Sequence, residues 1–194
     1  MKILKNIVLV IVILVVTLVI VGFLMPSARH IERSLVVNAK PDAVFAQVND
    51  LKKWNSWSPW FKMDPNSKMV FSDNSVGLGA YYTWESTNSN VGKGKLTIEE
   101  STPFTLVKSK LEFEGMSESH AYFKMEPEGE NTKVTWAIDS NLGNNPFFRL
   151  MGVMMDKMLG DIFLQGLTDL KKVAEENPIA PAEVVPVAVT DSVK

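Results

Sequence analysis

The chain contains no cysteine and only two histidines among its 194 residues. The lack of cysteine excludes a disulfide framework and any metal site that depends on thiolates. His30 and His120 are the only imidazoles, and no HExxH or paired His/Asp spacing surrounds them. We therefore predict no metal centre and no cofactor, and the spacing supports no serine–histidine–acid triad.

An excess of positive charge is also missing, since 20 Lys and Arg residues stand against 22 Asp and Glu residues. Nucleic-acid binding needs a basic surface that neutralises phosphates, so we predict no nucleic-acid partner. The glycine pairs Gly77/Gly79 and Gly92/Gly94 lack both the third glycine and the following helix of a phosphate-binding loop. They are interpreted as hairpin turns or bulges rather than as a nucleotide site.

Charge is absent altogether from Ile7–Met25, a run of 19 residues dominated by valine, isoleucine and leucine. As a helix this run covers roughly 28 Å, close to the hydrocarbon thickness of a bilayer. Lys2 and Lys5 supply a positive flank. The run is longer than the apolar stretch of about 7–15 residues in a cleaved signal, and Pro26 suits the −3 position of a cleavage site poorly. We predict a retained single-pass anchor that contacts the lipid bilayer.

The orientation of this anchor rests on a weaker signal. Lys2 and Lys5 lie on one side of the run, and Arg29, Arg33 and Lys40 lie on the other. Because the charges on the two sides nearly balance, the positive-inside rule barely distinguishes the two orientations, whereas a short N-terminal tail usually stays inside. We expect the following domain to be extracytoplasmic, on the periplasmic side.

The remaining chain divides into a domain and a tail. Residues 1–28 form the short stub and the anchor, 29–176 suit one domain with one core, and 177–194 are rich in proline, alanine and valine. The last segment is too short and too proline-rich to bury much apolar surface, which predicts a flexible tail.

Within the domain, the apolar residues change period twice. A strand is predicted over His30–Asn38 and a short helix from Pro41. From Met69 onward the period is two, and glycine, asparagine and proline turn signals separate six or so runs, each with one apolar and one polar face. A long helix, capped by Asn145, then extends from Pro146 to about residue 175.

Two segments resemble a known family. In residues 32–60, ERSLVVNAKPDAVFAQVNDLKKWNSWSPW, a strand ends in an N-A-x-P-x-x-V-F helix start and is followed by a W-x-x-W-x-P-W loop. Residues 132–160, TKVTWAIDSNLGNNPFFRLMGVMMDKMLG, resemble the last strand and long helix of the same group. That group is the SRPBCC family of polyketide cyclases/dehydrases and lipid-transport proteins, in the START-like helix-grip superfamily, and the resemblance covers about 29–175.

The resemblance implies an α+β helix-grip domain, in which a curved antiparallel sheet of six to seven strands wraps around the long C-terminal helix. Its relatives use an apolar cavity between sheet and helix for lipids, sterols, polyketides or other hydrophobic ligands. We therefore expect a hydrophobic small molecule or lipid as the partner. Closely spaced methionines on the helix suit an adaptable wall. The predicted ligand-binding residues are Trp57, Trp60, Tyr82, Trp84, Phe113, Phe123, Trp136, Met151, Met154, Met155 and Met158.

Other interpretations of these residues remain open. The aromatic and methionine side chains are equally consistent with an ordinary core. The tryptophans at 54, 57 and 60 fit a hydrophobic plug as well as a gate or a contact with the bilayer interface. The domain is alternatively a protein-interaction module for a membrane partner, or a cyclase- or hydrolase-like enzyme. The enzyme would need a buried acid such as Glu85 or Asp139 in the cavity.

Overall fold

The computed structural model describes residues 2–115 and 117–176, so the predicted tail lies outside the described residues. An N-terminal helix is followed by a strand, short helical segments, six further strands and a long helix. The helices are α1 (Lys2–Leu24), α2 (Pro41–Val48), α3 (Trp54–Trp57), α4 (Pro59–Met63) and α5 (Pro146–Glu176), with a single 3-10 turn over Leu51–Lys53.

Helix α1 contains the uncharged run and has 23 residues. Its side chains project away from the rest of the chain, and Gly22 is the one residue of the helix that is buried. This exposure is unlike that of a core helix in a soluble protein. Length and composition together fit either a membrane span or a signal sequence.

Seven strands form one sheet, in the order β1-β7-β6-β5-β4-β3-β2, and all neighbours are antiparallel. The last six strands are a meander, as the alternating sequence predicts, and the first strand closes the sheet beside the last. The strands are β1 (Ala28–Val37), β2 (Lys68–Phe71), β3 (Tyr81–Glu85), β4 (Lys93–Thr102), β5 (Leu106–Phe113), β6 (Ser119–Glu128) and β7 (Asn131–Asn141).

Helix α5 lies across the concave face of this curved sheet, which confirms the predicted helix-grip architecture. The side chain of Asn145 accepts a hydrogen bond from the Phe147 amide at 2.9 Å, as expected for an N-cap. Gly152, Gly160 and Gly166 are buried along the helix. They leave room for neighbouring side chains to lie directly against the helix backbone.

The core is an aromatic cluster at one end of the grip. Trp54 and Trp57 of α3 lie with ring centroids 5.0 Å apart, and Trp57 contacts Phe123 at 5.6 Å. Phe123 stacks on Trp136 at 4.8 Å, and Trp136 stacks on Phe163 of α5 at 4.3 Å. Trp54 and Trp57 are almost fully buried, so they form the plug and have no surface left for a bilayer contact.

Strands β1 and β7 are joined on their outer face by an exposed pair. His30 Nδ1 lies 2.7 Å from Asp139 Oδ1, and its Nε2 lies 3.3 Å from Glu32 Oε2. The hydrogen bond with Asp139 is the main reason why the pKa of His30 is raised above its ordinary value, with Glu32 adding to the effect. Both partners are about half exposed, so salt screens the pair.

The close packing at Gly166 predicts that replacing this glycine with alanine lowers the free energy of unfolding, whereas the same change in an ordinary helix raises it. Gly166→Ala would place a Cβ 2.6 Å from the Trp136 ring and 2.9 Å from the Pro59 ring. We expect the free energy of unfolding to fall by about 1–3 kcal/mol, as in other overpacked cores, although alanine favours an ordinary helix by about 0.5–1 kcal/mol. The matched variant Gly160→Ala meets the movable guanidinium of Arg33, so its loss should be smaller.

Urea unfolding of the full chain in detergent, followed by tryptophan fluorescence, measures both variants. A Gly166→Ala protein that is as stable as the unmodified chain, or more stable, would contradict the described packing of Trp136 on α5.

The raised pKa of His30 predicts a pH-dependent contribution to stability. A raised histidine pKa stabilises the folded state at low pH, and this contribution is lost as the pH rises through the folded-state value, above the ordinary pKa of about 6.5. Asp139→Asn should return the His30 pKa toward its ordinary value, and NMR titration of the His30 ring protons measures it. Glu99→Gln is the control, since Glu99 faces His120 instead. An unchanged His30 pKa in Asp139→Asn would refute the assignment.

Candidate ligand-binding cavity

The two halves of α5 pack differently on the sheet. From Phe163 onward the helix is seated on the core through Leu167, Leu170 and Ala174, all fully buried. Before Phe163 the helix contacts β1 through Arg29 and Arg33, which lie against it at Gly152 and Gly160, and it leaves a cavity of about 560 Å³ between itself and the remaining strands. This volume lies in the range of about 300–1,000 Å³ that is usual for small-molecule sites. Four side chains of the first half face the cavity: Phe148, Met151, Met155 and Leu159.

The sheet supplies the opposite wall, because alternate residues of neighbouring strands point to the concave face. Trp84 lies across the backbone of β4, where a Cβ on Gly94 would be 2.5 Å from its ring. Trp84 Nε1 donates to the Val91 carbonyl at 3.0 Å, so its polar atom already has a hydrogen-bond partner within the protein. Helices α3 and α4 add Trp54, Trp60 and Phe61 to this wall. Its aromatic and aliphatic members from the strands are Met69, Tyr82, Trp84, Leu96, Leu111, Phe113, Ala121, Trp136 and Ile138.

Few polar groups interrupt this wall. Ser109 and Ser119 are buried on the concave face, and Tyr82 is buried beside them in the lining. Burial raises the pKa of the Tyr82 hydroxyl, so this group stays protonated at neutral pH and remains a hydrogen-bond donor. Among the described lining residues, Tyr82 is the single ionisable side chain.

The mouth of the cavity is more polar than its interior. It is bordered by the connection from β7 to α5, residues 141–145, which carries three asparagines, and by Gly115 and Ser117. Asn90, before β4, also lines the cavity. An apolar interior with a polar rim is the usual arrangement of a site for a mostly apolar ligand.

The structure brings seven of the eleven predicted site residues together around the cavity. Met151 and Met155 come from α5, and the other members are aromatic. The seven are Trp60, Tyr82, Trp84, Phe113, Trp136, Met151 and Met155.

Four predicted residues lie elsewhere. Trp57 and Phe123 are buried in the aromatic core, because the α3 plug fills the space in front of that part of β6. Met154 and Met158 are each 58% exposed on another face of α5. The prediction that all four methionines meet the sheet is wrong, since the helical repeat of 3.6 residues turns 154 and 158 away from the side that carries Met155 and Leu159. Met151 lies at the edge between these two sides, where it lines the cavity and is also exposed.

Phe148, Leu159, Phe163 and Leu111 were not among the predicted site residues. Phe148, Leu159 and Phe163 lie at helical spacing from Met155. Helical periodicity would therefore have predicted them as lining residues if the cavity-facing side of α5 had been known. Leu111 shares its alternation with Phe113, so its place on the concave face was predictable.

The two acids considered for catalysis lie outside the cavity. Asp139 pairs with His30 on the outer face, and Glu85 forms an ion pair with Lys93 at 2.8 Å. That ion pair lowers the pKa of Glu85 and keeps it ionised. The described lining contains no Asp, Glu, Lys, Arg or His side chain to serve as an acid or base there.

Solved structures share this fold at low sequence identity. The di-domain ARO/CYC StfQ from the steffimycin biosynthetic pathway has a TM-score of 0.60 at 13% identity, covering 77% of this chain and 52% of its own. Truncated norcoclaurine synthase from Thalictrum flavum has a TM-score of 0.59 at 12% identity, covering 77% and 95%. Protein CV1439 from Chromobacterium violaceum has a TM-score of 0.55 at 13% identity, covering 77% and 99%. At these identities the likeness shows the fold alone.

No curated protein matches this chain in sequence. The family model described as polyketide cyclase / dehydrase and lipid transport matches residues 28–175, the whole of the sheet and nearly all of α5. With the helix-grip fold and the apolar cavity already established by the structure, this match identifies the chain as a member of the polyketide cyclase/dehydrase and lipid-transport family.

Proposed function

We propose that the protein binds an apolar small molecule or a lipid in the cavity between the sheet and α5, and does so at a membrane to which α1 anchors it. The observation that carries the proposal is the cavity of about 560 Å³ with its aromatic, aliphatic and methionine lining. Burying an apolar ligand there removes its surface from water at about 25 cal/mol per Å², which is the main source of affinity for such ligands.

The polar groups of the cavity favour a ligand with a limited number of hydrogen-bonding atoms. The Tyr82 hydroxyl can donate to one acceptor, and the Ser109 and Ser119 hydroxyls can orient others. A charged group within the interior would find no opposite charge among the described lining residues. We infer that any charged end of the ligand stays at the asparagine-bordered mouth, where water remains accessible.

Helix α1 gives this site its location in the proposal. The supporting features are its 23-residue length, its uncharged run and the exposure of nearly all its side chains. An anchor holds the domain beside the phase in which lipophilic molecules concentrate, so modest intrinsic affinity suffices for occupancy. We retain the division into anchor, 29–176 domain and tail, and the periplasmic orientation, as parts of the same proposal.

Binding is better supported than catalysis by the described residues. General acid–base chemistry needs a group within hydrogen-bond reach of the substrate that exchanges protons near neutral pH. Tyr82 holds its proton more tightly than a free tyrosine, and the carboxylates at 85 and 139 are committed to ion pairs outside the cavity.

The proposal predicts that filling the cavity displaces a photoactivatable fatty acid. In nanodiscs, a diazirine fatty acid should crosslink to peptides of β5 and of the first half of α5, as well as to α1. Leu111→Trp should lower the cavity crosslinks by about tenfold, equivalent to about 1.4 kcal/mol of binding free energy. Mass spectrometry of the digested protein measures each peptide separately.

Leu106→Trp is the matched control, since Leu106 is a half-buried leucine of the same strand on the opposite face. It should leave every crosslink unchanged. Crosslinks at α1 report the bilayer and should be equal in all variants. Cavity crosslinks that survive Leu111→Trp, in a variant with an unchanged unfolding midpoint, would reject the cavity as the binding site.

A further inference from the structure

The first half of α5 carries an apolar stripe that neither the core nor the cavity accounts for. Phe147, Met154 and Met158 are exposed by 62%, 58% and 58%, and Met151 is exposed between them. Their spacing of four, three and four residues places them on one side of the helix, about 17 Å long at 1.5 Å per residue. This set, Phe147, Met151, Met154 and Met158, is called the α5 stripe below.

The start of α5 is packed against the end of α1. Gly22 is buried there, and a Cβ at this position would lie 2.6 Å from the Pro146 carbonyl oxygen and 2.7 Å from the Pro146 Cβ. Gly22 belongs to the uncharged run and precedes its last residue, Met25, by three positions. The stripe therefore begins beside a part of α1 that is still apolar.

Arg149 fixes this contact. Its Nη1 donates to the carbonyls of Phe23 and Met25 at 3.1 and 3.2 Å, and its Nε donates to the Gly143 carbonyl at 2.8 Å. Its Nη2 donates to Asn144 Oδ1 at 3.0 Å. One guanidinium thus satisfies carbonyls at the end of α1 and holds the loop that borders the cavity mouth.

From this arrangement we propose that the α5 stripe lies in the interfacial layer of the bilayer that α1 spans, so that the cavity mouth faces lipid rather than bulk water. The proposal rests on the anchoring role given to α1 above. Its occupant is the bilayer itself, because the stripe continues the apolar surface of α1, where Leu24 is 82% exposed. Apolar helix faces of this kind bury about 5–10 Å into the boundary between headgroups and acyl chains.

The end of the stripe supports the same partner. On the side of α5 that carries the stripe, the next positions are Asp161 and Gln165, so the apolar surface stops after three turns. A short apolar segment followed by a polar one suits a helix that leaves the interface.

The placement of the α5 stripe in the bilayer interface gives a lipid direct access to the cavity. Met151 belongs to the stripe and also lines the cavity, and Phe148 lines the cavity while remaining 46% exposed. A lipid in the adjacent leaflet would therefore reach the cavity along α5 without its apolar part crossing bulk water, which removes the main free-energy cost of its transfer.

The natural absence of cysteine allows a direct test by site-directed spin labelling. Single cysteines would be placed in the full chain at Phe147, Met154 and Met158, with Asp156→Cys and Lys157→Cys as controls on the same turns. Vesicles of phosphatidylethanolamine and phosphatidylglycerol are the probe. Power-saturation EPR then compares collisions with oxygen, which concentrates in lipid, and with a water-soluble nickel chelate.

We expect the ratio of oxygen to nickel accessibility to be at least about fivefold higher at 147, 154 and 158 than at the two controls, as for an interfacial helix. Equal ratios at stripe and control positions would overturn the proposal. Protection of the stripe from both reagents would also overturn it, since a second copy or a membrane protein would then cover this face.

A label at Val15, in the middle of α1, tests the anchor separately from the stripe contact. High oxygen accessibility at Val15 with an aqueous stripe would reject the stripe contact and leave the anchor intact. An aqueous Val15 would reject the anchor, and the stripe proposal with it. Circular dichroism of each labelled variant verifies that α5 is still formed.

Discussion

The stacking of Trp136 on Phe163 holds the long helix α5 against the sheet. The two rings lie 4.3 Å apart and nearly parallel, with an interplanar angle of 10°. They join β7 to the middle of α5, and Gly166 allows the same tryptophan to lie against the helix backbone one turn later. The second half of α5 is fixed in this way, while the first half contacts β1 through Arg29 and Arg33 and leaves the cavity between itself and the remaining strands.

The same constraint separates two roles of the aromatic residues. Those at the closed end, Trp54, Trp57 and Phe123, make mutual ring contacts, and the indole N–H groups of Trp54 and Trp57 donate to backbone carbonyls of α2. Those toward the open end, including Trp60 and Trp84, have one face on the cavity. The plug and the cavity lining are thus parts of one continuous aromatic layer. A change that loosens the plug is therefore expected to alter the shape of the cavity as well.

The packing of α5 on α1 extends this account to the membrane. In the proposed function the anchor places the domain at the membrane. Arg149 holds the cavity mouth beside the end of α1 by donating hydrogen bonds to the carbonyls of Phe23 and Met25. An ordinary lysine would make a single such point contact, whereas the planar guanidinium bridges α1 and the loop at once. The mouth, the end of α1 and the α5 stripe therefore form a single surface.

Much of the fold was predictable from the sequence, because alternation at Tyr82 and Trp84 and the Asn145–Pro146 cap are local signals. The family resemblance supplied the topology and the existence of a cavity. The faces of α5 were harder, since its apolar residues cover more than one side and composition does not show which side meets the sheet. Met154 and Met158 were misplaced for that reason, and Trp57 because burial depends on what packs in front of it.

The contact between Gly22 and Pro146 had no sequence signal at all, as it joins residues 124 positions apart through the tertiary fold. Local propensity and periodicity report neighbours along the chain, and such a contact becomes visible when the sheet brings the ends of β1 and β7 together.

Native mass spectrometry of the full chain released from detergent tests directly whether the cavity holds a ligand. We expect a one-to-one adduct with an apolar molecule or lipid that persists under activation sufficient to strip loosely attached lipid from α1. Release of that molecule by solvent extraction should identify its chemical class. A spectrum that contains only the unliganded mass, from protein purified with its membrane and from protein offered a fatty acid or phospholipid, would contradict the claim that the cavity is a ligand site.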